Sequence, residues 1–163
     1  SSESANLSLP TTASRYDMSF QRTFAIIKPD VFSKGSAEKM NKILDIIKQN
    51  NLTVDRAEQT RLSKETAEKF YGEHKGKFFY QRLVNFITSG PCMLMVLSGE
   101  NAVSRWRFIM GPTHLKKAKS FSEYPNNIRA LFAESDTRNT VHGSDSVETA
   151  KREISFFFPD EKV

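Results

Sequence analysis

Asn139-Thr140-Val141-His142-Gly143-Ser144-Asp145-Ser146 (NTVHGSDS) sets a histidine between a short β-forming run and the start of a helix. Arg138 to Val141 reads as a strand of a few residues. Gly143 permits tight backbone immediately after the histidine. Asp145 with Glu148 spells a capping box for a last helix, whose inner face would carry Val147, Ala150, Ile154 and Phe157. An imidazole at the end of a strand and close to a helix N-terminus stands where free N–H groups and the helix dipole favour anions. A neutral imidazole nitrogen can attack phosphorus. Alone, a histidine is more often structural than nucleophilic, so the surroundings must decide.

Upstream, Thr23 to Ile27 (TFAII) is an apolar run closed by Lys28-Pro29-Asp30. Proline biases the residue before it toward extended backbone, so a strand ends there. Met40, Ile43, Leu44 and Ile47 recur at the spacing of an amphipathic helix. Leu52 to Leu62 reads as a second strand. Ser63 caps a helix carrying Ala67, Phe70, Tyr71 and His74, and Phe78 to Thr88 is a further helical piece stopped by Gly90-Pro91. Cys92 to Leu97 is a buried strand. Asn101 opens a helix with Val103, Trp106 and Met110, which Gly111-Pro112 ends. Strands alternating with helices predict an α/β sandwich around a small, mostly antiparallel sheet.

The 163 residues suffice for one domain with a sizeable core and are too few for two ordinary ones. Thirteen phenylalanines require large buried aromatic surfaces, which excludes disorder over most of the chain. Residues 1–19 differ: this Ser- and Thr-rich segment is expected to be a flexible remnant of a targeting peptide or a tag, and 20–163 the folded domain. The formal charge of +5 favours anionic partners without choosing among them. Cys92 is the only cysteine, so no intramolecular disulfide exists. No apolar run approaches the roughly 18 residues of a membrane span.

The N-x-x-H-G-S-D-S string, with Lys-Pro-Asp upstream, resembles the nucleoside diphosphate kinase family, and the resemblance runs from Thr23 to about Asp160. It implies an α+β, ferredoxin-like sandwich with a four-stranded antiparallel sheet covered by helices. It also implies ping-pong transfer of the γ-phosphate of a nucleoside triphosphate to a diphosphate through phosphohistidine at His142. Lys28 in IKPD matches the lysine that holds phosphate and the sugar hydroxyl, and Tyr71 in KFYGEH a tyrosine near the phosphates, although a core aromatic reads equally well there. Phe79 in KFFYQRLV matches the base-stacking phenylalanine, its neighbour Phe78 being a packing residue. Arg107, Thr113 and Arg129 match phosphate-binding positions, and Asn139 the contact to the 3′-hydroxyl. Ser144 and Glu153 match the pair beside the histidine, one bonding near it and the other orienting its ring. Three cations suit phosphoryl transfer, which depends on positioning and charge neutralisation. The implied cofactor is Mg²⁺ carried on the nucleotide phosphates, with no dedicated metal ligands from the protein.

The sequence departs from the family pattern at three places. Val31 follows Lys-Pro-Asp where glycine is common, Asp136 and Thr137 replace a valine and glycine beside the base, and the stretch between Thr113 and Arg129 is several residues longer. The last leaves the oligomeric state open. GPTH, DTRNT and FFFPD are most similar to the type-six, group II branch, which implies a mitochondrial address (otherwise cytoplasmic) and an activity that is weak in isolation or aided by a protein partner. A nucleotide-binding domain without turnover is the competing reading. A nucleic-acid-binding module is the weaker one, because no RNA-recognition aromatic motif or KH loop is present.

Overall fold

Strand β1 (Phe20–Ile27) is fully buried from Thr23 to Ile27. Phe24 and Ile26 enter one apolar layer while Ala25 and Ile27 enter the other, the period of two that a pleated strand imposes. Burial on both faces is why the sequence shows an unbroken apolar run. The computed structural model describes residues 19–33 and 35–163, and the expectation for residues 1–18 lies outside the described residues.

A 3-10 turn (Pro29–Phe32) follows β1 and leads to α1 (Ser36–Gln49) and β2 (Thr53–Thr60). Then come α2 (Lys64–Phe70), a 3-10 turn (Gly72–His74), α3 (Tyr80–Ile87), β3 (Cys92–Glu100) and α4 (Ala102–Met110). The chain closes with α5 (Leu115–Lys119), α6 (Ile128–Phe132), β4 (Val141–Gly143) and α7 (Val147–Phe157). Among the described residues the strands form one antiparallel sheet in the order β2-β3-β1-β4. This is the ferredoxin-like α+β sandwich expected from the sequence. Helices α1 and α4 cover one face through Ile43, Ile46, Ile47, Trp106 and Ile109, and α2, α3 and α7 cover the other through Ala67, Val84, Ile87 and Ile154. Each large aliphatic side chain buried this way contributes about 1.5–3 kcal/mol. None of the helices among the described residues is long and apolar enough to cross a membrane.

The local readings differ from the structure where tertiary contacts decide. The last strand begins at Val141 rather than Arg138, because its pairing with β1 starts only there. Ser146, not Asp145, caps α7: its extended backbone turns the hydroxyl onto the Thr149 N–H at 3.0 Å. Val147 consequently lies on the outer side of that helix, 39% exposed. Phe78 is not a packing residue; it stands 87% exposed, its ring meeting that of Phe79 at a near right angle. Ser63 does cap α2, accepting from Thr66 N–H at 3.1 Å.

Val141 and Gly143 face α4. A Cβ added at Gly143 would lie 2.6 Å from Trp106 Cδ1 and 2.7 Å from Met110 Sδ, both rigidly buried. Glycine is therefore needed for the close approach of β4 to α4. Gly143→Ala is expected to destabilise the fold by about 1–3 kcal/mol, as overpacking does, measured as a lower midpoint in urea.

Candidate active site

His142 lies opposite Ile26 of β1. Its neighbours on β4 point at α4, so its own side chain points to the other layer. There Phe70 meets the imidazole edge-on with ring centroids 5.2 Å apart, and Phe24 stands at 6.1 Å. From α7, Glu153 Oε1 lies 3.0 Å from His142 Nε2, and the same oxygen accepts the Ser144 hydroxyl at 2.6 Å. Glu153 and Ser144 are buried, so the carboxylate is itself held. Glu153 accepts from Nε2, which places the proton of a neutral ring there and its lone pair on Nδ1.

A cleft of about 270 Å³ opens beside this ring. Lys28, Tyr71, Arg107, Thr113, Arg129 and Asn139 all line it, together with Glu153. Ser144 does not line it; its hydroxyl donates to Glu153, with a longer contact of 3.5 Å to the Phe24 carbonyl. Phe79 is not among the wall residues either: its ring packs 5.4 Å from His74, which is. Tyr71 belongs to both descriptions, touching the cleft while packing edge-on against Phe70 at 5.0 Å. Burial pushes its phenol well above the ordinary range.

Arg129 is not a surface ion pair. It is buried and donates to three backbone carbonyls, from Nε to Asn139 at 3.2 Å and from its terminal nitrogens to Gly111 at 2.9 Å and Val141 at 2.8 Å. Arg107, more exposed, donates to the Gly143 carbonyl at 3.1 Å. Lys28 is buried, and its ammonium donates to Asn139 Oδ1 at 2.7 Å. Asn139 in turn donates to the Thr113 carbonyl at 3.3 Å. Three cationic side chains, one amide and the histidine strand thus share one frame.

Sequence reasoning missed three members of that frame. Trp106 donates its indole N–H to the His142 carbonyl at 3.0 Å, a bond no local pattern announces. Thr140 has φ +77°, and Val141 N–H reaches back to the Asn139 carbonyl at 2.8 Å, making a γ-turn about a β-branched residue. Asp30 enters the sequence reading only as part of a motif, yet it is buried beneath Lys28. Of the departures, Val31 is a core residue and Asp136 sits on the rim, where it accepts from the Leu115 N–H at 2.9 Å and pairs with His114 at 3.1 Å. The long stretch folds into α5 and a turn whose Phe121 and Tyr124 rings flank Phe108, each at 5.6 Å.

The sequence profile described as nucleoside diphosphate kinase matches residues 21–163. The chain belongs to the nucleoside diphosphate kinase family. A nucleoside diphosphate kinase of a Nitratiruptor species is 46% identical over 143 residues, which cover 88% of this chain and 98% of that relative. Nucleoside diphosphate kinase 6 of Danio rerio is 44% identical over 143 residues, covering 86% of this chain and 77% of that one. Among solved structures, the Halobacterium salinarum nucleoside diphosphate kinase in complex with CDP superposes with a TM-score of 0.77 at 34% identity, over 88% of this chain and 91% of that one.

This kinase-family cleft is built around an uncomfortable lysine. Burial, with Arg129 beside it, pulls Lys28 down from 10.5 to about 7, and Asp30 opposes the fall. Burial and the nearby Arg107 likewise pull Arg129 down, to about 10. Because the unfolded chain keeps the ordinary lysine value, it binds more protons than the folded chain between about pH 7 and 10.5, so stability rises with pH across that window. Lys28→Met is expected to remove that rise and to stabilise the protein at pH 7 by about 1–4 kcal/mol, the gap closing toward pH 10. Urea unfolding at pH 7 and pH 9.5 reads both effects.

Proposed function

We propose that the chain transfers the γ-phosphate of a nucleoside triphosphate to a nucleoside diphosphate through phosphohistidine at His142. The observation that carries this reading is the single arrangement in which Glu153 engages Nε2 while the ring opens on a cleft walled by Lys28, Arg107 and Arg129. Among the described residues Nδ1 has no protein partner, so it is the nitrogen left to attack. The kinship with nucleoside diphosphate kinases, one of them solved with CDP, supports nucleoside di- and triphosphates as the substrates.

In the forward half-reaction the Nδ1 lone pair forms a bond to the γ-phosphorus as the bond to the bridging oxygen breaks, and the diphosphate leaves with that electron pair. Positive charge appears on the ring and is held by Glu153 through Nε2–H. Lys28, Arg107 and Arg129 would bind phosphate oxygens, and arginine can do so through two N–H groups at once. Asn139 and Lys28, already bonded to each other, would meet the sugar hydroxyl. The return half-reaction is the same path reversed onto a second diphosphate.

Mg²⁺ fits this site as a passenger of the nucleotide. Among the described residues no three His, Cys, Asp or Glu side chains converge as a metal cage, while the cleft offers cations to phosphate. When bound on the phosphates, the ion supplies neutralisation of the oxygens' charge. Residence in mitochondria and an activating protein partner are further parts of the proposal, resting on the resemblance of GPTH, DTRNT and FFFPD to the type-six branch. A fluorescent fusion that stays in the cytosol would remove the first. Recovery of full activity by the purified chain alone would remove the second.

Incubation with γ-labelled ATP and Mg²⁺ is expected to leave acid-labile label on the protein that moves to added GDP. His142→Ala should take no label. Glu153→Gln should retain the site but lose about 10–100-fold in the labelling rate, the equivalent of one hydrogen bond to a charged group. Nucleotide binding without any label would instead identify a binding domain that does not turn over.

A further inference from the structure

Asp30 is 3% exposed, and its Oδ1 is enclosed without a well-formed hydrogen bond among the described residues, its own backbone N–H being the donor that eases the carboxylate. Its Oδ2 accepts only a long bond, 3.4 Å, from the Thr140 hydroxyl. Burial pushes its carboxyl above the ordinary range, chiefly by desolvation. An under-bonded buried carboxylate is costly and rare, and calls for a use of its charge.

That use lies two residues away. The Lys28 ammonium is bonded to a neutral amide, and the guanidinium of Arg129 on α6 opposes its charge. Asp30, on the 3-10 turn, is the anion that supports it. The charged groups facing Asp30 are Lys28, Arg138 and Glu134, of which the last two are paired with each other at 2.7 Å. The same carboxylate touches the strained turn. Thr140 is completely buried, its carbonyl receives the Lys28 N–H at 2.8 Å, and its hydroxyl binds Asp30. Its positive φ turns the chain so that the carbonyls of Asn139 and Val141 both meet Arg129 while the Asn139 side chain meets Lys28.

We propose that Asp30 is a positioning residue for phosphoryl transfer: its buried negative charge raises the share of Lys28 that is an ammonium in the nucleotide-free cleft, and its Oδ2 holds the Thr140 turn that aims Asn139 at it. This rests on the transfer reading above. It explains a buried carboxylate that does not line the cleft and a turn in a conformation threonine rarely adopts.

The test is calorimetry of Mg-ADP binding at pH 7 in two buffers of different ionisation enthalpy, which counts protons taken up. The nucleotide's own phosphate contributes equally to every variant. Lys28 in the unaltered chain, with its value near 7, takes up about half a proton. Asp30→Asn is expected to raise that to about one, and to weaken binding roughly tenfold at pH 8 for each unit by which Lys28 falls, the loss shrinking as pH is lowered. A purely structural role would not give a loss that acid repairs. Thr140→Val, which removes the hydroxyl and keeps the charge, should weaken binding equally at all pH values with uptake unchanged. A folded Asp30→Asn protein with the uptake of the unaltered chain overturns the proposal. Should that variant not fold, the Asp30 carboxyl ¹³C resonance of the unaltered chain decides. An ionised carboxylate at pH 7 is required, and a protonated one overturns the proposal. Absence of any ADP binding by the unaltered chain would sink the transfer reading instead, with the resonance still reporting on Asp30.

Discussion

The guanidinium of Arg129 reaches the carbonyls that end α4 at Gly111 and that enter β4 at Asn139 and Val141. These segments are distant in sequence, and the guanidinium joins them alongside the Trp106 and Arg107 bonds to β4. Without the buried cation, three carbonyls would face one another in an apolar enclosure, an arrangement that desolvation strongly penalises. With it, the strand bearing His142 is located relative to the loop bearing Thr113. The same group then still has N–H donors for an anion, because an arginine carries five and backbone takes three of them. Under the proposed function, structure and recognition are two uses of one side chain.

The positive charges of this cleft are expensive in the absence of ligand. Lys28 and Arg129 lie within one enclosure and are both driven toward neutrality by burial. A site so arranged is least at ease when empty, and a polyphosphate relieves it. Part of the affinity for nucleotide is in that sense stored by the fold, in the manner of other sites where function is held against local stability.

Much of this was legible in the sequence. The alternation of apolar strands and amphipathic helices predicted the sandwich, the Ser63 cap sat where a serine before a helix should, and the NTVHGSDS stretch singled out His142. Other features follow from contacts that sequence spacing does not contain. Ser146 prevailed over Asp145 as the α7 cap because the strand before it ends later than its composition suggested. The two phenylalanines of KFFY look alike as letters, but one packs on His74 and the other stands in solvent. Thr140 gave no warning, since a β-branched residue belongs in a strand and its left-handed backbone is imposed by the bonds on either side. Nothing local announced that Arg129 is buried, because burial of a guanidinium depends on carbonyls from elsewhere in the chain.

Trp106 is the only tryptophan of the chain. It is wholly buried, its indole N–H is fixed on the carbonyl of His142, and it fills the space against which Gly143 is pressed. The protein therefore carries a single indole, hydrogen-bonded to the backbone of His142. Changes of charge on that histidine alter the local field at the indole, so the colour of its emission is coupled to the state of the imidazole without any label being introduced.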